Sequence, residues 1–145
     1  LFKKAYAKKA AKKARTIEKK TILLIKDGDK VAIRKRPKKG LLAGLYELPN
    51  VEGYLTQRSA LEYSRQIGLA PLHIKALGEA KHIFSHVEWH MKGYMVWIDE
   101  LSEENSDFLF IELEESQQNY PIPAAFSAYT KYMNMKLGNE RFEHT

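Results

Sequence analysis

Two runs of alternating apolar and polar residues flank the stretch His82-Ile83-Phe84-Ser85-His86-Val87-Glu88-Trp89-His90, and this arrangement constrains the fold most. Before it, Leu72, Ile74 and Ala76 occupy alternate positions in a run that ends at Lys81. After it, Val87, Trp89, Met91, Met95 and Trp97 alternate with Glu88, His90 and Lys92. A two-residue repeat marks a strand with one buried face. The stretch therefore joins two strands, and Phe84-Ser85-His86 falls at or near their connection. A loop tip that projects an aromatic ring, a hydroxyl and an imidazole together is equipped to touch a planar, polar, anionic partner. The plainer alternative is a core Phe beside an unrelated Ser-His pair.

The rest of the chain fits around this hairpin. Thr21 to Lys26 is a short strand carrying Ile22, Leu23, Leu24 and Ile25, and Asp27-Gly28-Asp29 is a turn signal. Lys30 to Arg36 follows, with Val31 and Ile33 on one face and Arg34 and Arg36 on the other. Gly40 and Gly44 bracket a segment that needs unusual backbone angles. Beyond it Tyr46 and Leu48 alternate around Glu47, and Pro49 stops the strand. Glu47 is a candidate buried carboxylate held by structural hydrogen bonds. Thr56 is a plausible N-cap for a helix with Ala60, Leu61, Ser64 and Ile67 on one face and Gly68 at its end. Phe108 to Leu113 is a further strand, and a last helix is expected from about Ala124 to Leu137. The order β-β-β-α-β-β-β-α predicts an α+β domain, a mixed β-sheet flanked by two helices.

The net charge of +6 hides a split. Residues 1–40 hold 16 Lys and Arg against 3 Asp and Glu, or +13, and residues 41–145 hold 8 against 15, or −7. Residues 1–20 are rich in Lys and Ala with no apolar stripe. They are expected to form a basic arm or inter-domain connector, either tracking phosphates or merely soluble. Residues 21–138 would form the folded domain and 139–145 a loose tail. The chain has no cysteine, which excludes disulfides, a cysteine nucleophile and thiolate-held zinc or iron–sulfur centres within it. No apolar run approaches membrane-spanning length. Because the first residue is Leu1, a piece of a longer protein is expected. His82, His86 and His90 recur every four residues, but a turn in their midst argues against a shared metal.

Two stretches together carry a resemblance. Arg34-Lys35-Arg36-Pro37 through Gly40-Leu41-Leu42-Ala43-Gly44-Leu45-Tyr46-Glu47-Leu48-Pro49 resembles the start of a Nudix-type (MutT-like) domain. With Phe84-Ser85-His86 and Trp89 at this distance, and Tyr120-Pro121-Ile122-Pro123 before the last helix, it resembles the C-terminal domain of the MutY family of adenine DNA glycosylases. The likeness covers roughly residues 20–137. It implies a Nudix-like fold and a recognition domain for 8-oxoguanine opposite adenine in base excision repair, with no catalytic residue of its own. The glycosylase parent would hold its catalytic carboxylate and a 4Fe–4S cluster in an N-terminal part, leaving this chain without a cofactor or metal. Implied partners are duplex DNA containing the mispair and the catalytic domain of the same protein. A monomer is expected, in a bacterial cytoplasm with the nucleoid and off the membrane.

The resemblance makes Phe84-Ser85-His86 a lesion-reading loop. Ser85 can donate to the new C8 oxygen of the lesion or accept from its new N7–H. Phe84 would wedge beside the lesion or fill the core. His86 would bond a phosphate or fix the loop. Arg34, Arg36, Lys38, Lys39, Lys81 and His82 are candidate positioning contacts, each also readable as solvated charge. Nudix hydrolases carry clustered glutamates for magnesium. Here the matching helix reads Leu61-Glu62-Tyr63-Ser64-Arg65-Gln66-Ile67-Gly68, with Arg65 and Gln66 where the paired glutamates would stand. Two alternatives stay open: a divergent Nudix phosphohydrolase acting on oxidised nucleotides, and a protein–protein adaptor using the acidic segment 99–107.

Overall fold

A computed structural model describes residues 14–99 and 107–135. Most of the expected arm, most of the acidic segment and the C-terminal tail lie outside the described residues. The elements are β1 (Thr16–Asp27), β2 (Lys30–Lys35), β3 (Tyr46–Glu47), β4 (Asn50–Glu52), α1 (Gln57–Gln66), β5 (Pro71–Ile83), β6 (Val87–Ile98), β7 (Leu109–Glu112), α2 (Leu113–Gln118), a 3-10 turn (Ala124–Phe126) and α3 (Ser127–Thr130). The strands form one mixed seven-stranded sheet in the order β3-β2-β1-β6-β5, with β4 also paired to β1 and β7 to β2.

The sheet is built on β1. Its run Ile22-Leu23-Leu24-Ile25 is 0% exposed throughout, so both faces of the strand are covered. A continuous apolar run is what a two-faced central strand requires. Ile22 and Leu24 join a core with Val31, Ile33, Trp89, Met91, Met95, Phe126 and Tyr129 under the C-terminal segment. Leu23 and Ile25 join a second core with Ala60, Leu69, Ile74, Tyr94 and Val96 under α1. β1 runs parallel to β6 from Thr16↔Val87 to Lys26↔Trp97. β5 runs antiparallel to β6, with a register shift between Leu77 and Ala80.

Local signals behave as their chemistry requires. The Thr56 side chain accepts from the Ser59 N–H at 3.1 Å and caps α1. Gly68 ends the helix at φ +89°. The β1–β2 hairpin closes over Gly28-Asp29, with Asp27 facing Lys30.

Four expectations need correction. β1 begins at Thr16, so Thr16 to Lys20 belong to the sheet and not to an arm. Their strand geometry comes from pairing with β6, which overrides the helix preference of a Lys-rich sequence. The strand around Glu47 ends before Pro49 as expected, but a further short strand, β4, follows it. α2 was not anticipated, although Glu114 and Glu115 lie in its first turn, where the helix dipole favours acidic residues. The long last helix is replaced by a 3-10 turn, the single-turn α3 and further turns. Its bonds Tyr132 N–H to Tyr129 O and Met133 N–H to Thr130 O span three residues, so the coil is tighter than an α-helix.

Gly93 is where this segment meets the sheet. A Cβ there would stand 2.3 Å from Tyr129 Cε1. The Tyr129 ring lies over the glycine and its hydroxyl donates to the Gly78 carbonyl at 2.9 Å. Burial pushes the Tyr129 phenol above its ordinary value. Gly93→Ala is expected to lose about 3 kcal/mol, the upper end of overpacking costs, read as a lower urea midpoint with an unchanged slope.

Candidate nucleic-acid interface

The β5–β6 hairpin places the sequence-selected loop at the end of the sheet. Phe84 N–H donates to Val87 O at 2.7 Å and closes a turn whose tip is Ser85-His86. Both tip residues are exposed. Leu42 is the one non-glycine described residue at positive φ, so the tip needs no left-handed backbone. Thr16 N–H donates to the His86 carbonyl at 3.0 Å, so the start of β1 pins the turn from the side.

Phe84 is half-buried and belongs to a file of rings. It meets His82 at 4.8 Å and Trp89 at 4.9 Å, both edge-on, and Trp89 meets Phe126 at 5.6 Å. Edge-to-face contacts at these separations are favourable beyond simple burial. The Phe84 ring thus packs on the core, as the plainer alternative has it, while its backbone forms the turn. Trp89 is fully buried, with the Lys20 ammonium 4.9 Å and the Arg36 guanidinium 5.3 Å from its ring centre. Its Nε1–H has no hydrogen-bond partner.

Arg34 and Arg36 are turned toward Glu47. Arg34 Nε donates to Glu47 Oε2 at 2.9 Å and its Nη2 to the Asn50 carbonyl at 2.7 Å. Arg36 Nη1 donates to Glu47 Oε1 at 2.6 Å and its Nε to the Leu41 carbonyl at 3.0 Å. Asn50 Nδ2 also donates to Glu47 Oε1, at 2.9 Å. Glu47 is therefore a satisfied buried carboxylate that fixes two arginines and the segment between β2 and β3. Lys38 and Lys39 stand exposed on that segment, beside Gly40 at φ +92° and Gly44 at φ +73°.

Lys81 and His82 flank the turn on opposite faces. Lys81 pairs in register with His90, and His82 with Trp89. The same alternation separates His82 from His90, and among the described residues no three His, Asp or Glu side chains gather as metal ligands. Glu88, which no sequence motif marks, is a hub: it meets His90 Nε2 at 3.2 Å, Arg15 at 3.6 Å and Lys81 at 3.9 Å. The hydrogen bond with His90, aided by the Lys81 and Arg15 charges, holds its carboxyl below the usual range. Lys20 was also missed. It lies two residues before Ile22, on the same strand face, and this period was the available signal.

Comparison with known proteins decides the family. A NUDIX domain model matches residues 21–132. The chain belongs to the NUDIX domain family. The fold agrees with solved structures. The C-terminal domain of mouse MUTYH, crystallised in complex with human PCNA, superposes with a TM-score of 0.64 at 24% identity, covering 88% of this chain and 90% of that one. The MutT protein of Methanosarcina mazei Go1 gives 0.58 at 15%, covering 90% and 98%. In sequence, this NUDIX domain is 38% identical over 73 residues to human adenine DNA glycosylase and 35% over 79 residues to the mouse enzyme. Those matches cover 46% and 50% of this chain but only 13% and 15% of the relatives' lengths. The chain thus spans only about one seventh of the length of the adenine DNA glycosylases it matches.

Two measurements check the site's internal order. Glu47→Ala strips both arginines of their carboxylate. It is expected to cost about 2–3 kcal/mol, below the 3–5 kcal/mol of a fully buried pair because Arg34 is 29% exposed. Thermal or urea unfolding reads it. Glu88 has a lowered folded pKa, so its contribution is fully present above the ordinary value of 4.5 and lost as pH falls through the folded pKa. The stability difference between wild type and Glu88→Gln is expected to be flat above pH 4.5 and to shrink below it. NMR titration of the carboxyl checks the cause.

Proposed function

We propose that this chain is the lesion-recognition domain of an adenine DNA glycosylase, reading 8-oxoguanine opposite adenine in duplex DNA during base excision repair. The observation that carries the reading is the turn. Ser85 and His86 are exposed at the tip, while Phe84 ties the turn to the buried Trp89. A hydroxyl on a rigid mount is suited to the edge that distinguishes the lesion. Oxidation turns N7 from acceptor to donor and adds an acceptor at C8, and Ser85 can satisfy either. His86 would contact a phosphate, and Lys81 and His82 would position the duplex from either side of the turn. Lys38 and Lys39 are available for phosphates. Arg34 and Arg36 act first by shaping the segment that carries them, since their donors are committed to Glu47 and backbone carbonyls.

The chemistry of α1 supports a domain without a catalytic role. Glu62 faces Arg58 at 3.5 Å, and Arg65 and Gln66 replace the paired glutamates that a magnesium-dependent hydrolase would use. Base removal would belong to an N-terminal catalytic part joined to this domain. An iron–sulfur cluster implied for that part would need ligands from there, because this chain has no cysteine to offer.

Fluorescence anisotropy on two duplexes, 8-oxoguanine opposite adenine and guanine opposite adenine, tests the reading. A buried contact worth about 1–3 kcal/mol gives wild type roughly 10- to 100-fold preference for the lesion, and Ser85→Ala should abolish it while leaving the undamaged duplex bound as before. Equal binding of both duplexes by wild type contradicts the reading. Turnover of oxidised deoxynucleoside triphosphates with magnesium would instead favour a hydrolase.

A further inference from the structure

We infer that the sheet surface behind the reading turn, on the α1 side, is a second contact zone that takes the phosphodiester backbone of the same duplex. The inference rests on the duplex-binding reading above. Strand register assembles the surface in rows. Ile17, Glu88 and Ile83 form one row, Lys19, His90 and Lys81 the next, and Thr21 and Lys92 a third. These residues share the face that α1 covers farther along, where Leu23 and Tyr94 are buried. Near the turn nothing described covers it: Ile17 is 54% and Ile83 51% exposed, and Lys19 and Lys81 are exposed.

Three observations point to a polyanion. First, Lys19 and Lys92 converge on one ring, their ammonium groups 5.4 Å and 5.5 Å from the centre of Tyr54, which is 40% exposed. Two like charges gathered at one aromatic ring, with no carboxylate partner among the described residues, gain from an anion bound beside them. Second, the zone carries Arg15, Lys19, Lys81 and Lys92 against Glu88, a surplus of three positive charges, whereas residues 41–145 as a whole are net negative. Third, the spacing fits. Positions two apart on a strand lie ~6.7 Å apart and neighbouring strands ~4.8 Å apart, so Lys92 and Lys81 both lie within reach of successive phosphates on a strand that passes Lys19. Ile17 and Ile83, beside the turn, offer apolar contact to deoxyribose. Glu88 restrains the zone, because it holds Arg15 and Lys81 until phosphate competes for them.

The test is the salt dependence of duplex affinity for the full chain. Each lost phosphate contact lowers the slope of log affinity against log salt by ~0.9. Lys19→Gln/Lys92→Gln should lower it by about 1.8, equally on lesion and undamaged duplexes, with an unchanged melting temperature. Glu88→Gln should tighten both duplexes. Lys131→Gln, an exposed charge on the far segment, controls for net charge and should change the slope by much less. An unchanged slope in the double variant, or a fall no larger than that of Lys131→Gln, overturns the inference. A loss confined to the lesion duplex also overturns it and moves these lysines into lesion reading. If wild type shows no lesion preference but the slope falls as stated, the contact zone stands and the lesion reading fails.

Discussion

Everything in this domain hangs on the parallel pairing of β1 with β6. Parallel strands need cover on both faces, and the two cores supply it, one under α1 and one under the C-terminal segment. The pairing runs from Lys26↔Trp97 in the deep interior to Thr16↔Val87 at the β5–β6 turn. One strand thus passes from a place where every side chain is buried to one where Thr16, Ile17 and Lys19 meet solvent. The interior end holds the fold, and the outer end presents chemistry.

That continuity explains how a two-residue tip can be held still. The turn is pinned from inside by the Phe84–Trp89–Phe126 file of rings and from the side by Thr16 N–H on the His86 carbonyl. Trp89 is itself fixed between neighbours, with Lys20 and Arg36 at its ring. Arg36 is in turn fixed by Glu47, whose carboxylate also binds Arg34 and Asn50. The Nudix-type signature segment and the turn are therefore one mechanical unit, although some forty residues separate them in the chain. In this domain Arg34, Arg36, Glu47 and Asn50 of the signature segment hold one another in position.

Much of this was legible in the sequence. The period-two runs around Phe84-Ser85-His86 gave both long strands and their connection, and Thr56 and Gly68 marked the ends of α1 correctly. Glu47 between Tyr46 and Leu48 was readable as a structural carboxylate. What failed had physical reasons. Thr16 to Lys20 are strand because β6 lies beside them and β4 beside Lys20, and the two-residue period that reaches back to Lys20 does not show a partner seventy residues away. The C-terminal spacing at Phe126, Tyr129 and Met133 suits a helix, yet the backbone bonds there span three residues and wind a tighter coil. Arg34 and Arg36 look like free cations in sequence, because nothing there shows that Glu47 faces them. Lys19, Lys92 and Tyr54 meet only once the sheet is assembled.

The most direct test of the central claim is a two-dimensional 15N–1H NMR titration of the chain with each of two duplexes, one carrying 8-oxoguanine opposite adenine and one guanine opposite adenine. The account predicts that the two titrations shift the same β1 and β6 amides, and that the difference between them is confined to Phe84, Ser85, His86 and the Thr16 amide bonded to them. A lesion-specific difference centred elsewhere, on α1 or the C-terminal segment, with residues 84–86 unmoved, would contradict it.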